Sequence, residues 1–140
     1  MNRSFLFAAL AAIIWGFAPV LEKIGLNGRI EPFTGVVIRT IPIAVLAVAG
    51  LLLTGRASEV ASVDLKSAFF VAAGGVVAGL VGQIAFYTAL KTGEASVVVP
   101  VAATYPLVAF IVSIVFLGEA VTLHKIIGIA LVLGGVTLLR

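Results

Sequence analysis

Few side chains in this sequence can do chemistry, and most of them stand inside apolar runs. Arg39 lies in FTGVVIRTIPIAV, flanked by branched aliphatics. A guanidinium there is a permanent cation with a planar donor fork that fits a carboxylate or phosphate. Left unpaired in lipid it costs about 2.5 to 3.5 kcal/mol on insertion scales, so Arg39 should face protein or water. Glu22 of APVLEKIGL is the carboxylate best placed to pair with it, or to carry a proton if protons drive a cycle. Gln83, Tyr87, Tyr105 and Trp15 add an amide, two phenols and an indole, groups that hold and orient a molecule. Cysteine is absent, which removes disulfides, thiolate metal sites and thiol nucleophiles together. The single His and the six acidic residues do not cluster at metal-ligand spacing. No P-loop, dinucleotide or zinc-protease motif occurs. The expectation is a binding protein and not an enzyme, with no metal and no cofactor.

The elements that must position these residues are legible from composition. Of 140 residues, 62% are hydrophobic and 11% charged, against roughly 25% charged in a soluble domain. A basic excess of three charges is too sparse for a nucleic-acid footprint. The class is an all-α integral membrane protein in a lipid bilayer, multi-pass, in the cell (plasma or inner) membrane. Five apolar runs occur, at about 4–24, 33–54, 67–90, 96–117 and 123–139, read as one domain over 1–140. A spanning helix needs about 20 apolar residues, so the fifth run is marginal unless His124 and Lys125 snorkel. The first run lacks a small-x-small cleavage pattern and is expected to remain as a mature helix. Gly25, Asn27 and Gly28 end the first helix, and Pro32 pre-sets the second. Ser62 or Asp64 should cap the third, Gly93 and Gly118 end the third and fourth, and Thr122 caps the fifth. Short loops make consecutive helices antiparallel neighbours.

Five crossings put the two ends of the chain on opposite sides. With the amino end on side one, the cations there are Arg3, Arg56, Lys66 and Lys125, and on side two Lys23, Arg29, Lys91 and Arg140. Lysine and arginine bias sets orientation, and here it is balanced. The chain therefore either inserts weakly amino-end-inside or inserts both ways.

Depth follows from about 1.5 Å of rise per residue. Arg39 lies about six residues below the side-two surface, Gln83 about seven, Tyr105 about eight and Trp15 about nine, or roughly 9 to 14 Å down. Four helices thus bring different polar groups to one layer, with Glu22 nearer the same mouth and Tyr87 between. Singly, Trp15 reads as core filler, Gln83 as helix glue and Arg39 as the partner of Glu22. Together they suggest a cavity wall.

Small residues and prolines mark contacts and breaks. AAGGVVAGLVG places Gly75 and Gly79 four apart beside a stripe of Gly74, Ala78 and Gly82, which suits close packing within one chain. GIALVLGGV sets Gly128 and Gly135 one heptad apart, which suits a contact between chains. Pro19, Pro42, Pro100 and Pro106 lie inside apolar runs, and the last two, beside Tyr105, suggest a functional kink.

WGFAPVLEKIGL, the arginine after EPFTG, and AFYTALKTGEASVVVPVAATYPLVAFIVSIVFLGEAVTLHKIIGIALVLGGVTLL together resemble an EamA-type unit of the drug/metabolite transporter superfamily. The resemblance covers nearly the whole chain. It implies one five-helix half of an inverted-repeat transporter for amino acids, nucleotide-sugars, other metabolites or drugs. The last helix is similar to the glycine-heptad dimerisation helix of small multidrug resistance proteins. Their mid-helix-one glutamate is missing, with Ala11 and Ala12 at that depth. The expected function is a secondary transporter of a small-molecule substrate, working by alternating access as an inverted, dual-topology homodimer. Trp15, Arg39, Gln83, Tyr87 and Tyr105 are expected to line its cavity, with Glu22 in possible coupling. Glu94 and Glu119 are expected to cap or anchor helix ends. A lipid-linked-sugar flippase and a non-transporting scaffold or accessory subunit are the alternatives.

Overall fold

A computed structural model of the protein describes residues 3–139, all helix and turn. Arg140, counted among the side-two cations, lies outside the described residues. The elements are α1 (Arg3–Leu26), α2 (Pro32–Leu53), α3 (Ala57–Ala61), α4 (Leu65–Val76), a π-helical turn (Val77–Gly82), α5 (Gln83–Thr92), α6 (Ala95–Ala102), α7 (Tyr105–Leu117) and α8 (Leu123–Thr137). Four stretches are long and apolar enough to cross a bilayer: Arg3–Leu26, Pro32–Leu53, Leu65–Thr92 and Ala95–Leu117. The fifth run is a helix of 15 residues, Leu123–Thr137, about 22 Å long against a hydrocarbon core of about 30 Å.

The chain divides into two compact units, 1–92 and 93–140. In the first, α5 packs against both α1 and α2. Pro19 and Pro42 stay inside unbroken helices, as lipid-embedded helices tolerate. Pro32 opens α2 at a position where its missing N–H has no partner to lose. Of the two candidate caps for the third run, Asp64 does the work, accepting from the Ser67 amide at 3.0 Å. That hydrogen bond holds its carboxyl below the ordinary carboxylate range. A depressed value stabilises the helix start above the unfolded pKa, near 4, and the benefit fades as pH falls through the lower folded value. Asp64→Ala should therefore fray the first turn of α4, read as faster amide exchange at Lys66 and Ser67 at neutral pH. The difference from the parent should shrink in acid.

Two expectations about the third run need correction. A β-carbon built on Gly74, Gly75 or Gly79 would meet nothing within 4 Å, so among the described residues these three glycines make no close helix contact. The run is also not a uniform α-helix, because Val77–Gly82 is wound as a π turn. Glycines without a neighbour to hold them are suited to such loosened winding, and Gly82 sits only 3.1 Å, at its would-be β-carbon, from the Val77 carbonyl.

In the second unit the fourth run is interrupted at Ala103 and Thr104. Pro100 lies within α6, while Pro106 falls in the first turn of α7, where proline fits a helix start. Gly118 ends α7 with φ 65°, a left-handed geometry that a β-carbon disfavours. Thr122 caps α8 by accepting from the Lys125 amide at 3.3 Å. Glu119 pairs with Lys125 at 3.4 Å. Glu94 occupies the position before α6 but makes no side-chain cap.

Candidate functional site

Three membrane-embedded helices each send one polar side chain to a common point. Glu22 projects from the last two turns of α1, Arg39 from the second turn of α2, and Gln83 from the first residue of α5. Arg39 Nε lies 3.4 Å from Glu22 Oε1. Gln83 Nε2 donates to the same oxygen at 3.3 Å. The Tyr87 phenol, one turn beyond Gln83, faces Glu22, Arg39 and Gln83. The carboxylate is the hub, and the cation and two neutral groups gather on it.

The distances describe a loose hub. A charge-assisted N–H···O contact is usually about 2.7 to 2.9 Å, and both contacts here are longer. The Arg39 side chain keeps 36% of its surface exposed, against 15% for Glu22. Arg39 thus touches Glu22 through Nε while part of its fork remains open to another anion. Arginine is suited to such shared duty because its fork offers more than one edge. Among the described residues no three His, Cys, Asp or Glu side chains gather as a metal site. The node can attract, orient and release an anionic group, and its carboxylate can hold a proton.

The remaining candidates differ in their surroundings. Trp15 is two turns from Glu22 on α1 and 65% exposed. The structure gives it no hydrogen bond or ring contact with the node. Depth placed it in the layer, but depth alone does not fix the direction a side chain takes around its helix. Tyr87 is 3% exposed and packs tightly as well as facing the node. Tyr105 belongs to the second unit, exposed at the start of α7. Gly128 lines a small apolar groove with Thr104, Pro106 and Leu107, and neither Gly128 nor Gly135 has an atom within 4 Å of a built β-carbon.

Several residues around the node carry no motif in the sequence. Gly35 on α2 admits the Tyr87 ring, because a β-carbon there would stand 2.9 Å from Tyr87 Cδ2 and 2.9 Å from Leu26 Cδ2. The Lys23 ammonium donates to the Leu90 carbonyl, capping the end of α5 as a cation does best at a helix C-terminus. Lys91 Nζ pairs with Glu31 Oε1 at 2.6 Å. The only local clue was the placement of charges at helix ends, which gives no partner.

A family model described as the EamA-like transporter family matches residues 2–140. Among curated proteins, an uncharacterized protein of Methanocaldococcus jannaschii is 42% identical over 60 residues, 43% of this chain and 44% of that protein. That match spans less than half of the archaeal relative. An uncharacterized transporter encoded in the cobO 3' region of a Sinorhizobium species is 29% identical over 140 residues, 99% of this chain and 98% of its own length. No solved structure gives a significant match.

Proposed function

The chain belongs to the EamA-like transporter family and is a multi-pass membrane protein, and on that premise we propose that it is a secondary carrier for a small molecule with an anionic group. The observation that carries this reading is the loose hub of Glu22, Arg39 and Gln83 on three membrane-embedded helices. Ionisable side chains inside a membrane are costly and mark ligand or ion pathways. In this reading the residues 1–140 form one five-helix unit, half of a carrier, and two copies of opposite orientation complete a central cavity that alternates its access. Arg39 binds the anion, Gln83 and Tyr87 orient it, and Tyr105 and Trp15 line the path for its apolar portion. Glu22 competes for Arg39 when the carrier is empty and takes the proton if protons drive the cycle. The break between α6 and α7, flanked by Pro100 and Pro106, supplies local give during rocking. The balanced charges on the two sides support dual insertion.

A ligand that binds only the folded protein raises its stability, by about 2.7 kcal/mol at a hundred times Kd. A library of metabolites screened by thermal shift on the purified protein should therefore yield hits among organic anions. Those hits should be lost in Arg39→Lys. A screen in which only polyprenyl-phosphate sugars stabilise would favour a flippase. One with no hits among small molecules would favour a scaffold.

A further inference from the structure

Apart from Pro19 on α1, the buried side chains of the first unit form one layer, and that layer lies on one flank of the node. Leu26, Val36, Tyr87 and Leu90 are each at most 3% exposed. All four lie towards side two: Leu26 one turn beyond Glu22 on α1, Val36 one turn before Arg39 on α2, and Tyr87 and Leu90 one and two turns beyond Gln83 on α5. Two polar contacts close the layer at its outer edge, the Lys91–Glu31 pair at 2.6 Å and the Lys23 ammonium on the Leu90 carbonyl. On the opposite flank Ile13 and Ile14 of α1 and Val45 and Leu46 of α2 are exposed. Among the described residues of the first unit Pro19, one turn before Glu22, is the one buried residue on that flank, so the packing is heavier towards side two.

We propose that this layer is a gate, an apolar plug of Leu26, Val36, Tyr87 and Leu90 latched by Lys91 and Glu31, which closes the node to side two. It rests on the carrier reading above and deepens it by naming the part of the path that opens. Three physical features suit the role. The plug is about one to two turns thick, so a small separation of α5 from α2 uncovers the node. Leu26, Val36 and Leu90 carry no polar side-chain atom for opening to strand, and the Tyr87 phenol faces the node. The latch is an ion pair with the Glu31 carboxylate in solvent, and such pairs are weak enough to break and re-form. Gly35 sets the closed position. At 2.9 Å from Tyr87 and Leu26, a methyl group at residue 35 would act as a wedge between α2 and its neighbours.

The absence of native Cys allows a direct test that needs no transport. In purified protein, Val36→Cys should react slowly with a small charged thiol reagent. Adding Gly35→Ala should speed that reaction about tenfold or more. Adding Lys91→Gln instead should speed it about two- to fivefold, the range expected for an exposed pair. Leu90→Cys is a second reporter on a different helix, for use if Val36→Cys does not fold. Equal rates in all backgrounds, or fast reaction of both reporters in the otherwise unaltered protein, would overturn the gate. If the graded rates are seen in a protein that moves no solute, the gate stands as a movement of these helices and the carrier reading fails.

Discussion

Replacing Arg39 with Lys should weaken binding of an anionic ligand about ten- to hundredfold while the protein stays folded. A hydrogen bond to a charged group contributes about 1.5 to 3 kcal/mol, and about 1.4 kcal/mol is a factor of ten in affinity. Lysine keeps the cation near Glu22 but presents a point charge in place of the fork. Glu22→Gln should do the reverse. With the carboxylate gone, Arg39 loses its competitor, so an anion binds more tightly and leaves more slowly. The long contacts of 3.4 and 3.3 Å at Glu22 Oε1 are what make exchange of partners plausible. Calorimetric titration of both variants, with thermal unfolding as a control, separates binding from folding. If Arg39→Lys binds normally while Glu22→Gln misfolds, the pair is structural and the site assignment fails.

If two copies pair through α8 as proposed, Gly135→Leu should convert that dimer to a monomer in detergent and abolish solute flux. A β-carbon at Gly135 meets nothing within 4 Å among the described residues, so the backbone there is open to close approach by a partner. In lipid, helices associate where small residues let backbones approach, and a leucine at such a contact holds them apart. Gly128→Leu should act in the same direction, one heptad earlier on the same face. Light scattering coupled to size exclusion reads the mass. An unchanged mass for both variants would remove α8 from the interface.

The membrane class and four of the spans were legible because long apolar runs have few alternatives in a helical protein. The approach of Arg39 to Glu22 was legible too. Counting residues from the turn left a mismatch of roughly 5 Å in depth, within reach of a guanidinium stem. For Trp15 the same counting gives depth alone, since axial rise says nothing about the face of α1 on which the indole, 65% exposed, lies. The role of Gly35 was hidden because it depends on Tyr87, far along the chain, and on Leu26 across a turn. The π turn was hidden for a different reason. Hydrophobic periodicity over six residues does not distinguish its winding from α, and the glycines around it read naturally as a packing stripe. Glycine spacing alone cannot say whether a neighbour is there, and at Gly75 and Gly79 none is.

In the proposed carrier the Glu22–Arg39–Gln83 node binds the anionic group of the transported molecule. Counterflow in vesicles tests it most directly, using the organic anion that most stabilises the purified protein. Vesicles loaded with that anion should take up its labelled form rapidly with the unaltered protein. With Arg39→Lys, half-maximal uptake should need about ten- to hundredfold more external anion, in step with the loss of binding. Equal uptake by the two proteins at every concentration, or no uptake by the unaltered protein above empty vesicles, would contradict the account.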